Sequence, residues 1–208
     1  MISRDKRVCI IDYGSGNVNS VYNIIKSLHD SVKISNKALD IEEATHLVLP
    51  GVGAFKTAMD KIRAMPTFSL IKDNVINKKK FFLGICVGMQ VLADEGYEHE
   101  HYNGLGWISG KVNKIDYPEL ILPHVGWNNI NIVKKDPLLE GLDSNADFYY
   151  VHSYHFDVAN KENILATTSY GKDFVAIIRK DNIYGVQFHP EKSQSAGAIL
   201  LKNFLSLS

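Results

Sequence analysis

Three short stretches of this 208-residue chain carry residue types that can do covalent chemistry together. The first is Gly84-Ile85-Cys86-Val87-Gly88, which closes the apolar run begun at Phe81 and precedes a helical pattern. A glycine-bracketed turn from strand to helix lifts a side chain out of a buried sheet and aims it at a cleft, as the nucleophile elbow does for serine in G-x-S-x-G. Cysteine holds that place here. A thiol at a helix start is favoured as thiolate by the helix dipole and by free backbone N–H groups. It still needs a proton shuttle, because the amine expelled as a thioester forms has to leave as a neutral molecule.

The second stretch, His189-Pro190-Glu191, supplies that shuttle. His189 ends an apolar strand, where parallel-sheet enzymes place catalytic groups. Glu191 can accept a bond from the other imidazole nitrogen and fix its tautomer. The third stretch, Pro50-Gly51-Val52-Gly53, follows another buried strand. Its backbone can turn N–H groups towards a ligand. Gly51, Val52 and Gly53 are therefore candidate oxyanion donors, with the Val87 N–H just after the nucleophile as their partner. Each residue alone has a plainer reading: a free cysteine is commonly a small buried hydrophobe, and a strand-end histidine can be structural. The position of Cys86 on its turn favours chemistry.

Other clusters read as ordinary structure. His152 and His155 face opposite sides on a strand period, and no acid or cysteine joins them at ligand spacing, so no metal site is expected. His99 and His101 sit in a polar loop and read as solvated. Gly14-x-Gly16 lacks the third glycine and the acid of a dinucleotide fingerprint and reads as a βα loop. No cofactor is expected. Lys78-Lys79-Lys80 reads as a solvated helix end.

The elements that must position these residues follow from periodicity. Val8–Ile11, Val32–Ile34, His46–Leu49 and Phe81–Ile85 are short apolar runs, the pattern of strands covered on both faces. Helical patterns follow around Val18–Leu28, Ala54–Ile62 and Phe68–Val75, and a further helix is expected from Gly88 to about Asp94. After Tyr97 the texture turns to short strands and polar turns: 107–108, 112–115, 130–133, 148–151, 164–168, 175–179 and 183–188, with Asp181-Asn182 as a hairpin turn. A final amphipathic helix carries Ile199, Leu200, Phe204 and Leu205. The expected fold is an α/β three-layer sandwich. Its central sheet is mostly parallel, with a smaller mixed or antiparallel section, all in one domain over residues 1–208.

Composition narrows the function classes. Formal net charge is zero, hydrophobic content 45% and charged content 22%, so charge gives no footprint for nucleic acid or an anionic membrane. The two cysteines, Cys9 and Cys86, make no disulfide framework and suit a reducing compartment. Val8–Ile11 is too short for a signal-peptide core, and no run reaches transmembrane length. A soluble, cytoplasmic protein is expected.

With these motifs in view, the sequence resembles the class I (triad-type) glutamine amidotransferases. The general motifs are Pro50–Gly53, Gly84–Gln90 and His189–Glu191. Within the family it is similar to the branch of glutaminase subunits of imidazole glycerol phosphate synthases. That narrower likeness rests on Asp12–Asn17, Gly104–Gly106, Pro123–Asn128, Val151–Tyr154 and Gly185–Ser193. The resemblance covers almost the whole chain and implies a flavodoxin-like three-layer fold. It implies that Cys86 attacks the glutamine side-chain amide, and that a γ-glutamyl thioester is hydrolysed with His189 shuttling protons and Glu191 orienting it. It implies that Gln90 and the backbone of His152, Ser153 and Tyr154 hold the substrate. The partner implied is a (β/α)8-barrel cyclase or synthase subunit, forming a heterodimer and receiving the ammonia for histidine biosynthesis. Asn17, Trp127, Tyr149, Lys192 and Ser193 match positions at or near that interface. Flexible oxyanion glycines imply a chain nearly inactive until the partner binds. Val87 stands where leucine is commoner in the family. Gly104–Ile108 resembles paralogues that deliver ammonia for amidation of a sugar in bacterial surface-polysaccharide synthesis, which leaves that acceptor as the alternative. A non-catalytic scaffold and a Cys-His hydrolase of other substrates are the competing classes.

Overall fold

In the computed structural model, which describes every residue except 1, 4, 15, 118, 144 and 145, the apolar runs of the first half become consecutive sheet strands. Ser15 of the Asp12–Asn17 loop, and Met1 and Arg4 of the charged N-terminus, thus lie outside the described residues. The order is β1 (Val8–Ile11), α1 (Val18–Leu28), β2 (Val32–Ser35), α2 (Ala38–Glu43), β3 (His46–Gly51), α3 (Phe55–Ala64), α4 (Phe68–Ile76), β4 (Phe81–Cys86) and α5 (Val87–Gln90). All of β1 and β3 and nearly all of β4 are buried, as strands covered on both faces require. The second half gives β5 (Glu95–Gly96), β6 (Tyr102–Asn103), β7 (Gly110–Lys114), β8 (His124–Asn129), β9 (Asn131–Ile132), β10 (Asp147–His152), β11 (Tyr154–Val158), β12 (Ile164–Tyr170), β13 (Lys172–Lys180), β14 (Ile183–Val186) and α6 (Gln194–Ser206).

One eight-stranded sheet runs β2-β1-β3-β4-β14-β13-β12-β9. The pairs from β2 to β14 are parallel, and β13, β12 and β9 extend the sheet antiparallel. Smaller sheets pair β10 with β8 and order β11-β7-β5-β6. Helix α1 packs with α6, while α2 and α3 pack with α4, as two helical layers covering opposite faces of a parallel sheet. The expected α/β class holds. Its consequence for function lies in the strand order: β3, β4 and β14 are neighbours, so their carboxyl ends deliver the three reactive stretches to one edge.

Several local expectations are corrected. The helix after Cys86 stops at Gln90 instead of reaching Asp94. The next carbonyls are taken by a distant segment: Val91 O accepts from Leu105 N at 2.8 Å, Leu92 O from Trp107 N at 3.0 Å, and Asp94 O from Gly104 N at 2.8 Å. The same contacts make 107–108 a buried bend instead of a strand. Helix α2 was not expected; its six residues bury only Ile41, too little to show a period. Strands β8 and β11 were missed, only 131–132 of the expected 130–133 strand pairs, and β14 ends at Val186. The 78–80 lysines are not uniformly solvated, since Lys80 donates to the carbonyls of Ile41, at 3.1 Å, and Glu42. His101 is exposed but bonds Glu95 at 2.9 Å.

Candidate active site

Cys86 stands at the junction of β4 and α5 with φ 56° and ψ −113°. A non-glycine residue in this region stores on the order of 1–3 kcal/mol of strain, held only where the surroundings over-determine it. The bracketing glycines do that by close approach. A Cβ on Gly88 would lie 1.9 Å from Leu49 O, and one on Gly84 would lie 2.3 Å from Gly88 O. The turn is thus wedged, backbone on backbone, against the end of β3. Cys86 is 4% exposed. Because α5 is a single turn, the thiol meets a few local N–H groups and no long helix dipole.

His189 reaches the thiol from β14. Its N–H donates to Tyr149 O at 2.9 Å, which anchors it beyond the last ladder pair. Imidazole Nδ1 donates to Glu191 Oε1 at 2.7 Å, and Asn17 Nδ2 donates to the same oxygen. The side chains of His189 and Glu191 are almost wholly covered. Burial works against the imidazolium, but hydrogen bonding and negative charge from Cys86 and Glu191 outweigh it and raise the His189 pKa to about 10. Nε2 has no hydrogen-bond partner among the described residues. The ring is therefore held as imidazolium near neutral pH, with its Nδ1 proton on Glu191 and its Nε2 proton free to be transferred.

A cavity of about 400 Å³ opens over these groups. Cys86, His189, Val52, Gly53, Val87, Gln90, His152, Ser153 and Tyr154 all line it, so the structure brings together nearly every expected catalytic, oxyanion and substrate residue. Gly51 lies behind the wall, paired in register with Cys86. Gln90 Nε2 donates to Tyr154 O at 3.0 Å. His152 Nδ1 donates to Tyr154 O at 2.9 Å, which makes its Nε2 the acceptor for His124 Nδ1 at 3.0 Å. Burial brings the His152 pKa down to about 4, so this wall of the pocket is neutral at physiological pH. A larger hollow of about 480 Å³ beside Trp127 and Ser193 is lined by neither cysteine nor histidine.

The residues expected at a partner face divide. Trp127 and Tyr149 oppose each other across β8 and β10 with ring centroids 6.0 Å apart, and Lys192 Nζ lies 5.4 Å over the Tyr149 ring. Trp127 is 48% exposed and Val125, two residues earlier on the same face, 55%. Asn17 instead turns inward to Glu191. Ser193 departs from a surface position: it is buried, accepting from Tyr149 N at 3.0 Å and donating to His189 O at 2.6 Å. Both hold the strand end that carries His189.

Two polar groups at or behind the pocket wall escape the sequence reading. Glu98 lines the cavity and accepts from Phe55 N at 2.7 Å, at the start of α3; nothing in its polar loop marks it. Gln187 is buried between Cys86 and Gln90. Its signal is an amide inside an otherwise apolar run. Among the described residues no group of three or more His, Cys, Asp or Glu is arranged to hold a metal ion, and no helix is long and apolar enough to cross a membrane.

The family model for class-I glutamine amidotransferases matches residues 9–207. Among curated proteins, the chain is 43% identical over 206 residues to imidazole glycerol phosphate synthase subunit HisH of Pelagibacter ubique (strain HTCC1062), covering 96% of this chain and 99% of that one. It is 44% identical over 204 residues to the HisH subunit of Salinibacter ruber (strain DSM 13855 / M31), covering 95% and 93%. Among solved structures, a glutamine amidotransferase superposes with a TM-score of 0.74 at 20% identity, covering 95% of this chain and 96% of that one. A chain of PurLQS from Thermotoga maritima gives a TM-score of 0.73 at 16% identity, covering 96% and 97%.

Proposed function

Since this chain belongs to the class-I glutamine amidotransferase family, we propose that it is the glutaminase subunit of an imidazole glycerol phosphate synthase, hydrolysing glutamine to glutamate and ammonia. The observation that carries this is the line Cys86, His189, Glu191 at the adjacent ends of β4 and β14, with Cys86 and His189 lining one pocket. It sits in a chain matched along nearly its full length by subunits of that name.

In this reading Cys86 passes its thiol proton to His189 Nε2, and its sulfur adds to the amide carbon of the substrate side chain. The carbonyl oxygen becomes an oxyanion, met by N–H groups of the 51–53 loop and of Val87. His189 gives its Nε2 proton to the departing nitrogen, which leaves as neutral ammonia, and a γ-glutamyl thioester remains. Water then adds to the thioester, His189 takes its proton, and glutamate leaves as the thiol is restored. Glu191 holds the ring orientation throughout, with Asn17 and Ser193 behind it. Residues 1–208 form a single amidotransferase domain working in the cytoplasm. Its partner is a (β/α)8-barrel cyclase subunit docked on the Val125, Trp127, Tyr149 and Lys192 face. Exposed Trp127 and Val125 beside a half-buried Tyr149 give the aromatic, apolar composition of an interface core, with Lys192 at its edge.

The labelling test is direct. A glutamine analogue with an electrophilic carbon in place of the amide should modify Cys86 stoichiometrically in the assembled complex, as read by peptide mass. An unlabelled Cys86 in a complex that is assembled would sink the glutaminase reading.

Glu98 supplies a second expectation. The substrate's α-ammonium needs a negative partner in a pocket walled by neutral histidine, and Glu98 is the carboxylate lining it. Glu98→Gln keeps an oxygen for Phe55 N while removing the charge. The KM for glutamine should rise about tenfold, the worth of one charge-assisted bond, with kcat nearly unchanged. Steady-state glutamate release in the complex measures it; an unchanged KM would remove Glu98 from substrate binding.

A further inference from the structure

We propose that Gln187 is a further catalytic group of this site, a donor to the Cys86 sulfur that also ties the nucleophile to the substrate-holding wall. The proposal rests on the glutaminase reading above.

Gln187 is fully buried and sits just beyond the last ladder pair of β14, two residues before His189. Its position is set independently of the site: its backbone N–H donates to Ala176 O on β13 at 2.9 Å, and the next residue, Phe188, stacks on Phe148 with centroids 3.9 Å apart. The side chain therefore starts from a rigid point. Its two ends meet different functional groups. Oε1 accepts from Gln90 Nε2 at 3.1 Å, and Nε2 lies 3.8 Å from Cys86 Sγ, within the longer reach of a sulfur acceptor.

The network also decides which way round the amide lies. Gln90 Nε2 faces two oxygens, Tyr154 O and Gln187 Oε1, and an amide nitrogen can only donate. The Gln187 oxygen must then face Gln90, which leaves its NH2 facing the sulfur. A donor aimed at a buried thiol favours the anionic form, because a hydrogen bond to the charged state offsets part of its desolvation. His189 cannot supply this steadily, since its Nε2 proton is the one that must travel. Gln187 is a donor that never transfers its proton. It remains through both halves of the reaction, each time sulfur carries or regains negative charge. Because the same amide holds Gln90, a substrate that settles Gln90 also settles the donor on Sγ.

Two variants test this in the full chain assembled with its barrel partner. Gln187→Met keeps length and bulk but removes the donor; Gln187→Glu keeps the shape and puts a negative group beside the sulfur. The first reading is the pH dependence of Cys86 alkylation by iodoacetamide, followed by peptide mass. Cys9 does not compete, because burial pushes its thiol up to about 12. The alkylation midpoint should move up by about one pH unit in Gln187→Met and further in Gln187→Glu. The second reading is kinetic: kcat for glutamine should fall about tenfold with KM moved less than about twofold. A merely structural role would lower rates without moving the midpoint. An unmoved midpoint in whichever variant folds overturns the proposal, as does a rise in KM with kcat intact. If wild-type Cys86 is itself unlabelled and no glutamate is released, the glutaminase reading falls and this one with it. A reactive wild type with indifferent variants overturns Gln187 alone.

Discussion

Replacing Cys86 with alanine should abolish glutamine hydrolysis by the complex proposed above, lowering kcat by about 10⁴-fold or more, while turnover driven by added ammonia should be kept. The size follows from how the site divides the work. Residues of a nucleophile, shuttle and orienter set act as a unit, so losing the nucleophile forfeits nearly all that the set contributes. What survives is pocket binding and oxyanion stabilisation, which have nothing to stabilise once no sulfur adds to the amide. Little stability should be lost. The thiol contributes little buried volume, and the strained φ of 56° belongs to the turn and stays. His189 keeps its bond to Glu191, although the part of its raised pKa owed to the sulfur disappears. Glutamate release and ammonia-dependent product formation, measured on the same preparation, separate the outcomes. Residual glutamate release above about one hundredth of wild type would exclude Cys86 as the nucleophile. Loss of the ammonia-driven reaction as well would point to a disrupted assembly.

Gly88→Ala should be the most damaging small change to the fold at this site. The added methyl carbon would lie 1.9 Å from Leu49 O and 3.0 Å from Leu49 C. Both are backbone atoms of the buried strand β3, so no rotamer change relieves the clash. Either α5 lifts from the sheet or β3 moves away from β4, against the in-register parallel pairing of Leu49 with Gly84 and Gly51 with Cys86. Overpacking typically costs about 1–3 kcal/mol, and a backbone-on-backbone clash belongs at the top of that range, about 3 kcal/mol, a large share of the roughly 5–15 kcal/mol that holds a domain. For a chain of this size Tm should fall by about 6–12 °C. Activity should fall further than stability, because the displacement moves Val87 N–H and the 51–53 loop together and a lost oxyanion donor alone costs about 10²-fold in kcat. Calorimetry and glutaminase assays on folded variant measure the two effects. A Gly88→Ala protein with wild-type Tm and activity would show that the elbow does not depend on this backbone contact.

The parts legible in the sequence are those written in consecutive residues. Gly84–Gly88 announces a turn because each residue acts on its neighbours' backbone. The apolar runs 8–11, 46–49 and 81–85 announce strands covered on both faces because nothing polar interrupts them. His189 and Glu191, two apart beyond a strand and around a proline, can meet by local geometry alone, and at 2.7 Å they do. The motifs also resemble one family along the chain, and the matched span of 9–207 puts it there.

Other features depend on contacts between distant segments. The one-turn length of α5 is set by carbonyls that bond residues 104–108, so no period within 88–94 reveals it. Asn17 is expected at or near a partner face; the fold turns its side chain onto Glu191, far along the chain. Glu98 enters the pocket from a loop with no pattern of its own. Gln187 gains its meaning from the two side chains at its ends.

By itself, the sequence determined the kind of chemistry: a thiol on a strained turn, an imidazole with its carboxylate, a glycine loop for an oxyanion, each specified by short-range backbone constraints. Only the tertiary structure decided that these meet, and what stands behind them. Strand β14 lies beside β4, and β3 on its other side, because pairing among strands far apart in the chain is settled by which faces must be buried together, a long-range balance that no local window of residues contains.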